Sequence, residues 1–225
     1  MRIPVSYPIR SDAPGWPGNE IFEIEHVRSM AKGDVNNSCI FRMHEHYGTH
    51  MDAPFHFNNN GPKMAELPFD WFFSEKPLLL AIPTGGYELL EPEDFEPYAE
   101  QIAQADLLLI RTGFQQFRDT DPKKYQMESP AISPAGCEYL VKTFGGTLKI
   151  VGFDTQSLGN ASDKTGAGIE AHRWMLGSYT EHFITVIEDA DLQDVPADKP
   201  LLAAAAIPLR MIGTDSSPVT AWVEV

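Results

Sequence analysis

Eight stretches of the chain are apolar throughout or alternate apolar and polar residues with the two-residue period of a strand. They are IFEIEHV (21–27), SCIFRMH (38–44), PLLLAIP (77–83), DLLLIRT (106–112), LKIVGFD (148–154), FITVIE (183–188), AAAIPLRMI (204–212) and VTAWVEV (219–225). Three other stretches read as helices. Residues 93–104 follow Pro92 and open on Glu93 and Asp94, acids suited to the positive end of a helix. Residues 134–144 have Ser133 as N-cap, Pro134 at the first helical position and Gly145-Gly146 beyond the end. Residues 167–177 place Ile169, His172 and Leu176 on one face. So many strands with so few helices between them lack the strict alternation of a doubly wound sheet or a βα-barrel. The expected fold is α/β: a single domain over residues 1–225, with a mixed, largely antiparallel sheet core and helices outside it.

Composition narrows the function. The 225 residues carry a net charge of −15. Nothing in that balance neutralises a run of phosphates, so a nucleic-acid partner is not expected, nor is an anionic membrane surface. The longest apolar run, LLAAAAI (201–207), is too short to span a bilayer, and MRIPVSYPIR has no apolar core of signal-peptide length. The two cysteines, Cys39 and Cys137, lie in no ligand spacing and read as buried small apolar residues of a reducing compartment. A cytoplasmic protein acting on a small molecule is the expectation.

The chemistry concentrates in HEHYGTHMDAPFHF (44–57). Four of the seven histidines fall there, His44, His46, His50 and His56, with Asp52 among them. A helix would put His46 and His50 on one face but turn Asp52 away, and Gly48 and Pro54 oppose it. A straight strand faces all five groups one way, yet it leaves His46 and His50 roughly 13 Å apart. A bend at Gly48 resolves this: a strand ending near His46, a turn, and a bent exit to Asp52. His46, His50 and Asp52 then form a three-ligand metal site, with His56 beside it as acid or base. His44 shares the parity without an assigned role.

HYGTHMDAPFH resembles the HxGTHxDxPxH signature of the metal-dependent cyclase-like hydrolases, a family that includes bacterial kynurenine formamidases and isatin hydrolases. GWPGNE (15–20), LLLIRTGF (107–114), SPAGCEYL with KIVGFDTQSL (149–158), and IPLRMIGTDSSPVTAWVEV (207–225) are similar to further family segments in the same order. The resemblance implies a swivelling β/α/β-type domain assembled as a homodimer or higher oligomer. It implies that His46, His50 and Asp52 hold one metal and that His56 is the catalytic acid/base. In the formamidase branch a second metal uses the same aspartate with residues matching His172 and Glu188. Here the interval between those two is lengthened by GSYTEH, which makes His182 an alternative ligand, and Thr220 stands where the family has an arginine.

Imidazole and carboxylate without thiolate suit Zn²⁺ or Mn²⁺, one or two ions per chain. Such an ion lowers the pKa of bound water to around 7 and supplies a nucleophile for an amide or formyl carbon. His56 would protonate the departing nitrogen. Trp16, Phe22, Phe57 and Trp71 are candidates for an aromatic substrate wall, Trp16 through the WPG resemblance. Glu45, Thr49 and Asp70 are candidates to fix the imidazoles. The expected activity is hydrolysis of a small aromatic amide or formamide, kynurenine formamidase-like, with isatin-type lactam hydrolysis as the alternative. A non-catalytic metal-binding protein is the alternative of another class.

Overall fold

The computed structural model describes residues 1–19 and 21–225; Glu20, the last residue of GWPGNE, lies outside the described residues. The strands are β1 Arg2–Pro4, β2 Glu23–Arg28, β3 Ser38–Arg42, β4 His50–Asp52, β5 Phe73–Ser74, β6 Pro77–Ala81 and β7 Leu89–Leu90. They continue with β8 Leu107–Arg111, β9 Ala131–Ile132, β10 Ile150–Phe153, β11 Thr185–Glu188, β12 Ala203–Pro208 and β13 Ser216–Glu224. The helices are α1 Pro92–Phe95, α2 Ala99–Ile102, α3 Pro122–Glu128, α4 Pro134–Phe144 and α5 Ala167–Met175.

The main sheet runs β5-β12-β13-β4-β11-β10-β8-β6, with β1 beside β13. The neighbours β11, β10, β8 and β6 are parallel, and the remaining pairings are antiparallel. The fold is therefore the expected mixed α/β sheet. Its parallel part is buried on both faces, which explains the unbroken run of leucines in β8. Leu108 and Ile110 pack with Leu140, Val141 and Phe144 of α4. Leu107 and Leu109 point the other way, to Met51, Phe72 and Ile187.

All eight predicted strands form, most of them trimmed at their ends, while those at Glu23–Arg28, Ala203–Pro208 and Ser216–Glu224 run one to three residues past one predicted bound. Helix α4 also forms as its punctuation predicts, with the Ser133 side chain accepting from the Gly136 N–H. Four details differ. The expected helix over 93–104 is broken into α1, a 3₁₀ turn at Glu96–Tyr98, and α2; Pro97 has no N–H to donate and its ring collides with the preceding turn. Ile169 does not share a buried face with His172: it is 48 % exposed. Cys39 is exposed on β3, whereas Cys137 is buried as expected. The expected strand up to His46 stops at Arg42, and the segment after Gly48 is itself a strand, β4.

Strands β2 and β3 form a separate two-stranded hairpin. Its alternating pattern predicts one buried face, yet Ile24, Val27, Ile40 and Phe41 are all about half exposed or more. Among the described residues, no helix is long and apolar enough to cross a membrane.

Candidate metal centre

The three short residues of β4 lie at the middle of the sheet, and register assembles the site around them. His50 and Asp52 are two apart, so they share a face, while Met51 points into the core. Glu188 of β11 stands opposite His50, and His50 Nε2 lies 3.2 Å from Glu188 Oε2. On the other side β13 pairs Ser216 with Asp52, so Asp215 sits at the rim just before it.

Gly48 has φ 70°, the left-handed conformation that glycine adopts without a Cβ clash. The bend there brings His46 back over the strand, so that the His46 and His50 rings are 5.0 Å apart between centroids. Buried Tyr47 anchors the bend by donating to the carbonyls of Arg10 and Ala13 at 2.8 and 3.0 Å. His46 Nδ1 then lies 3.0 Å from Asp52 Oδ1. His172 reaches in from α5, its Nε2 3.3 Å from Glu188 Oε1.

Ligand atoms of His46, His50 and Asp52 all lie within 4.8 Å of one another, and the same holds for Asp52, His172 and Glu188. Asp52 belongs to both groups, so its two oxygens could serve two ions. Second hydrogen bonds orient the rings. His50 Nδ1 is 2.8 Å from the Gly48 carbonyl and His172 Nδ1 is 2.6 Å from the Gly168 carbonyl. A carbonyl only accepts, so both Nδ1 atoms carry a proton, and in the neutral rings each Nε2 keeps its lone pair for a cation. Among the described residues, the buried His50 Nε2 and both Asp52 oxygens have no hydrogen-bond partner in proper geometry. Orphaned buried atoms of this kind are what a cation would satisfy, and the nitrogen–oxygen set fits one.

The electrostatics point the same way. Burial disfavours charge on His46, but Asp52 and Asp215 outweigh it and lift its pKa to about 11. His50 and His172 are likewise raised against burial, chiefly by Glu188. Burial would raise Asp52 and Glu188, yet the facing imidazoles hold both below the usual carboxylate range. A cage this negative demands positive charge, either as protons or as a metal ion.

His56 projects from a 3₁₀ turn, Pro54–His56, that opens on Pro54. Its Nδ1 is 2.6 Å from Asp215 Oδ2, and its Nε2 is 3.9 Å from Asp52 Oδ2. Hydrogen bonds from His46 and His56 hold the Asp215 carboxyl far below its ordinary pKa. Asp215 went unrecognised in the sequence although it stands in the GTDSSPV stretch that carries the resemblance. The candidates named for its task sit elsewhere. Asp70 is exposed, Thr49 donates to a backbone carbonyl, and Glu45 interacts with Asp215, with burial and that contact raising its pKa to about 7.

A pocket of about 490 Å³ opens over these groups, lined by Trp16, His44, Glu45, His56, Phe57, Gln156 and His172 among others. Phe57 stacks on His172 at 4.7 Å. Trp16 and Phe57 thus reach the wall, whereas Trp71 stacks on Phe183 and donates to Thr185, and Phe22 lines a separate groove with Thr220. His182 is exposed, beside Gly145 and outside the pocket lining. Gln156 is new: its side-chain amide is buried, and among the described residues neither polar atom has a hydrogen-bond partner.

A buried sheet-centre cage of imidazoles and carboxylates under an aromatic-walled pocket defines a metal-dependent hydrolase type of site. The Cyclase family, described as "Putative cyclase", matches residues 3–160, and the chain belongs to it. An "Uncharacterized protein" of Haemophilus influenzae is 39% identical over 116 residues, covering 52% of this chain and 81% of that one. The kynurenine formamidase of Bacillus thuringiensis subsp. konkukian is 27% identical over 227 residues, covering 99% of this chain and 96% of that one. In structure, isatin hydrolase A from Labrenzia aggregata bound to benzyl benzoate superposes with a TM-score of 0.83 at 18% identity, covering 99% and 93% of the two chains.

Proposed function

We propose that this chain, acting as one domain over residues 1–225, is a metal-dependent hydrolase of a C–N bond other than a peptide bond in a small aromatic amide or formamide. N-formylkynurenine, giving kynurenine and formate, is the first substrate to test. The observation that carries the reading is that Asp52 belongs to two neighbouring ligand groups on the floor of one pocket, with His56 beside both. His46, His50 and Asp52 would hold one ion, and Asp52, His172 and Glu188 a second, Zn²⁺ or Mn²⁺ by the donor set. When bound, such ions supply Lewis acidity toward a carbonyl and water of lowered pKa.

The protein's own groups do the rest. Asp215 accepts from His56 Nδ1, which fixes the ring and turns Nε2 toward the reacting centre. From there His56 can take a proton from the attacking water and deliver it to the departing nitrogen, which leaves poorly as an anion. Trp16 and Phe57 offer flat apolar surface to an aromatic ring. Likeness to an isatin hydrolase favours a lactam as the second substrate class. The half-exposed apolar residues of the β2–β3 hairpin support a homodimer or larger homo-oligomer, and a cytoplasmic setting fits the free cysteines.

The test is turnover of formyl-aniline and isatin by protein stripped of metal and reconstituted with Zn²⁺, Mn²⁺ or Co²⁺. His50→Ala should lose the metal. His56→Ala should keep it and lose turnover by about 100-fold or more. A wild type that binds metal but turns over no amide or ester in a broad panel would instead be a metal-binding protein without catalysis.

A further inference from the structure

Behind the metal cage lies a second buried ion pair. The Arg118 guanidinium donates twice to Asp189, Nε to Oδ1 and Nη2 to Oδ2, both at 2.7 Å. The Tyr125 hydroxyl donates to the same Oδ1 at 2.7 Å, and the ring of Tyr7 lies 3.8 Å below the guanidinium. Arg118 and Asp189 are each only 2 % exposed. Asp189 directly follows Glu188, and its φ is 54°, a left-handed conformation that a residue with a Cβ rarely adopts.

We infer that this ion pair is a positioning device for the metal cage. The backbone of Asp189 is tied at both ends. Its N–H donates to the Thr155 carbonyl at 2.7 Å, and its carbonyl accepts from Thr49 Oγ1 at 2.6 Å. Thr49 precedes His50. The Thr155 loop goes on to hold the Glu188 carboxylate, through Ser157 Oγ at 2.9 Å and the Leu158 N–H at 2.6 Å. The left-handed turn at Asp189 therefore joins three segments that carry or hold ligands. In the ordinary extended conformation β11 would run on and these ties would part. A left-handed conformation is disfavoured for a residue with a Cβ, so something must hold it, and the bidentate guanidinium does. A buried ion pair adds little net stability over well-packed apolar residues. What this one provides is a fixed geometry, as bidentate pairs do.

The inference rests on the metal reading proposed above. Its test is calorimetric titration of the metal-free, full-length protein with Zn²⁺ and with Mn²⁺. Glu188→Gln first marks the part of cation binding that this carboxylate carries. Asp189→Gly keeps the backbone conformation accessible and removes the anchor; Arg118→Met and Tyr125→Phe remove the groups that hold it. Asp189→Gly should weaken the Glu188-dependent binding about 10- to 100-fold, the range for partners that orient metal ligands, and leave any Glu188-independent binding within about twofold. If Arg118→Met fails to fold, Asp189→Gly decides alone. Wild-type affinity in folded Asp189→Gly overturns the positioning role. So does an equal loss of all cation binding that tracks a lowered melting temperature, since that is a structural effect only. A wild type that takes up no cation defeats the metal reading itself, before any variant is made.

Discussion

Replacing Asp215 by Asn tests whether His56 works through its carboxylate partner. Asn keeps the size and can still accept from His56 Nδ1, but it loses the charge. A hydrogen bond to a charged group contributes about 1.5–3 kcal/mol, against about 1 for a neutral pair. The difference, about 0.5–2 kcal/mol, corresponds to about 2- to 30-fold in rate at 1.36 kcal/mol per decade. The 2.6 Å contact favours the upper part of that range. The 26% exposure of the Asp215 side chain favours the lower part, because water screens the charge. A fall in kcat of about 5- to 15-fold is expected. The same side chain lies 3.4 Å from His46 Nε2, so metal content must be measured on the assayed sample by elemental analysis. The expected result is reduced kcat at unchanged metal content and with little change in KM. Wild-type kcat in the metal-loaded variant, or a deficit wholly explained by lost metal, would refute the assignment.

Four further outcomes follow from the geometry. Cation affinity should rise with pH, because His46, at about 11 without metal, carries a proton at neutrality that the ion must displace; titrations at pH 6, 7 and 8 in buffers of differing ionisation heat would show the released protons, and a flat profile would contradict the cage. By linkage, a raised histidine pKa stabilises the metal-free fold fully below the unfolded value of about 6.5 and loses that effect as pH climbs through about 11, so the metal-free Tm should fall between pH 7 and 10. Gly159→Ala would set a Cβ 2.8 Å from the Gly168 Cα, where only backbone can give way; thermal melts should show about 1–3 kcal/mol lost. Gln156→Leu removes a buried amide without hydrogen bonds, so Tm should hold or rise, while KM should rise about fivefold if the amide greets substrate in the pocket; a clear drop in Tm would show that the amide has partners in the folded protein.

The legible parts of the chain were those with local causes. Strands β8 and β10 show as short unbroken apolar runs, because a parallel strand covered on both faces takes apolar residues at successive positions. Ser133, Pro134 and Gly145 mark the ends of α4 locally. The break at Pro97 also has a local cause, its missing N–H, although the expected helix ran straight through it. Less could be read where pairing decides. Three residues, His50–Asp52, have too little length to show a period, yet they occupy the sheet centre because β11 and β13 pair with them on either side. The hairpin sequence alternates like a half-buried strand pair, and only the tertiary arrangement leaves Ile24 and Ile40 uncovered.

By itself the sequence determined the donor types, the bend at Gly48 and the spacing of His50 from Asp52. These are settled within a few residues by sterics and by the two-residue alternation of a strand. The tertiary structure alone decided that Glu188 faces His50, that Asp215 rather than Glu45 or Asp70 grips His56, and that Arg118 reaches Asp189. Each of those pairs joins positions 71 to 159 residues apart. Their meeting depends on strand register and on which loops share an end of the sheet, and a local pattern does not encode either.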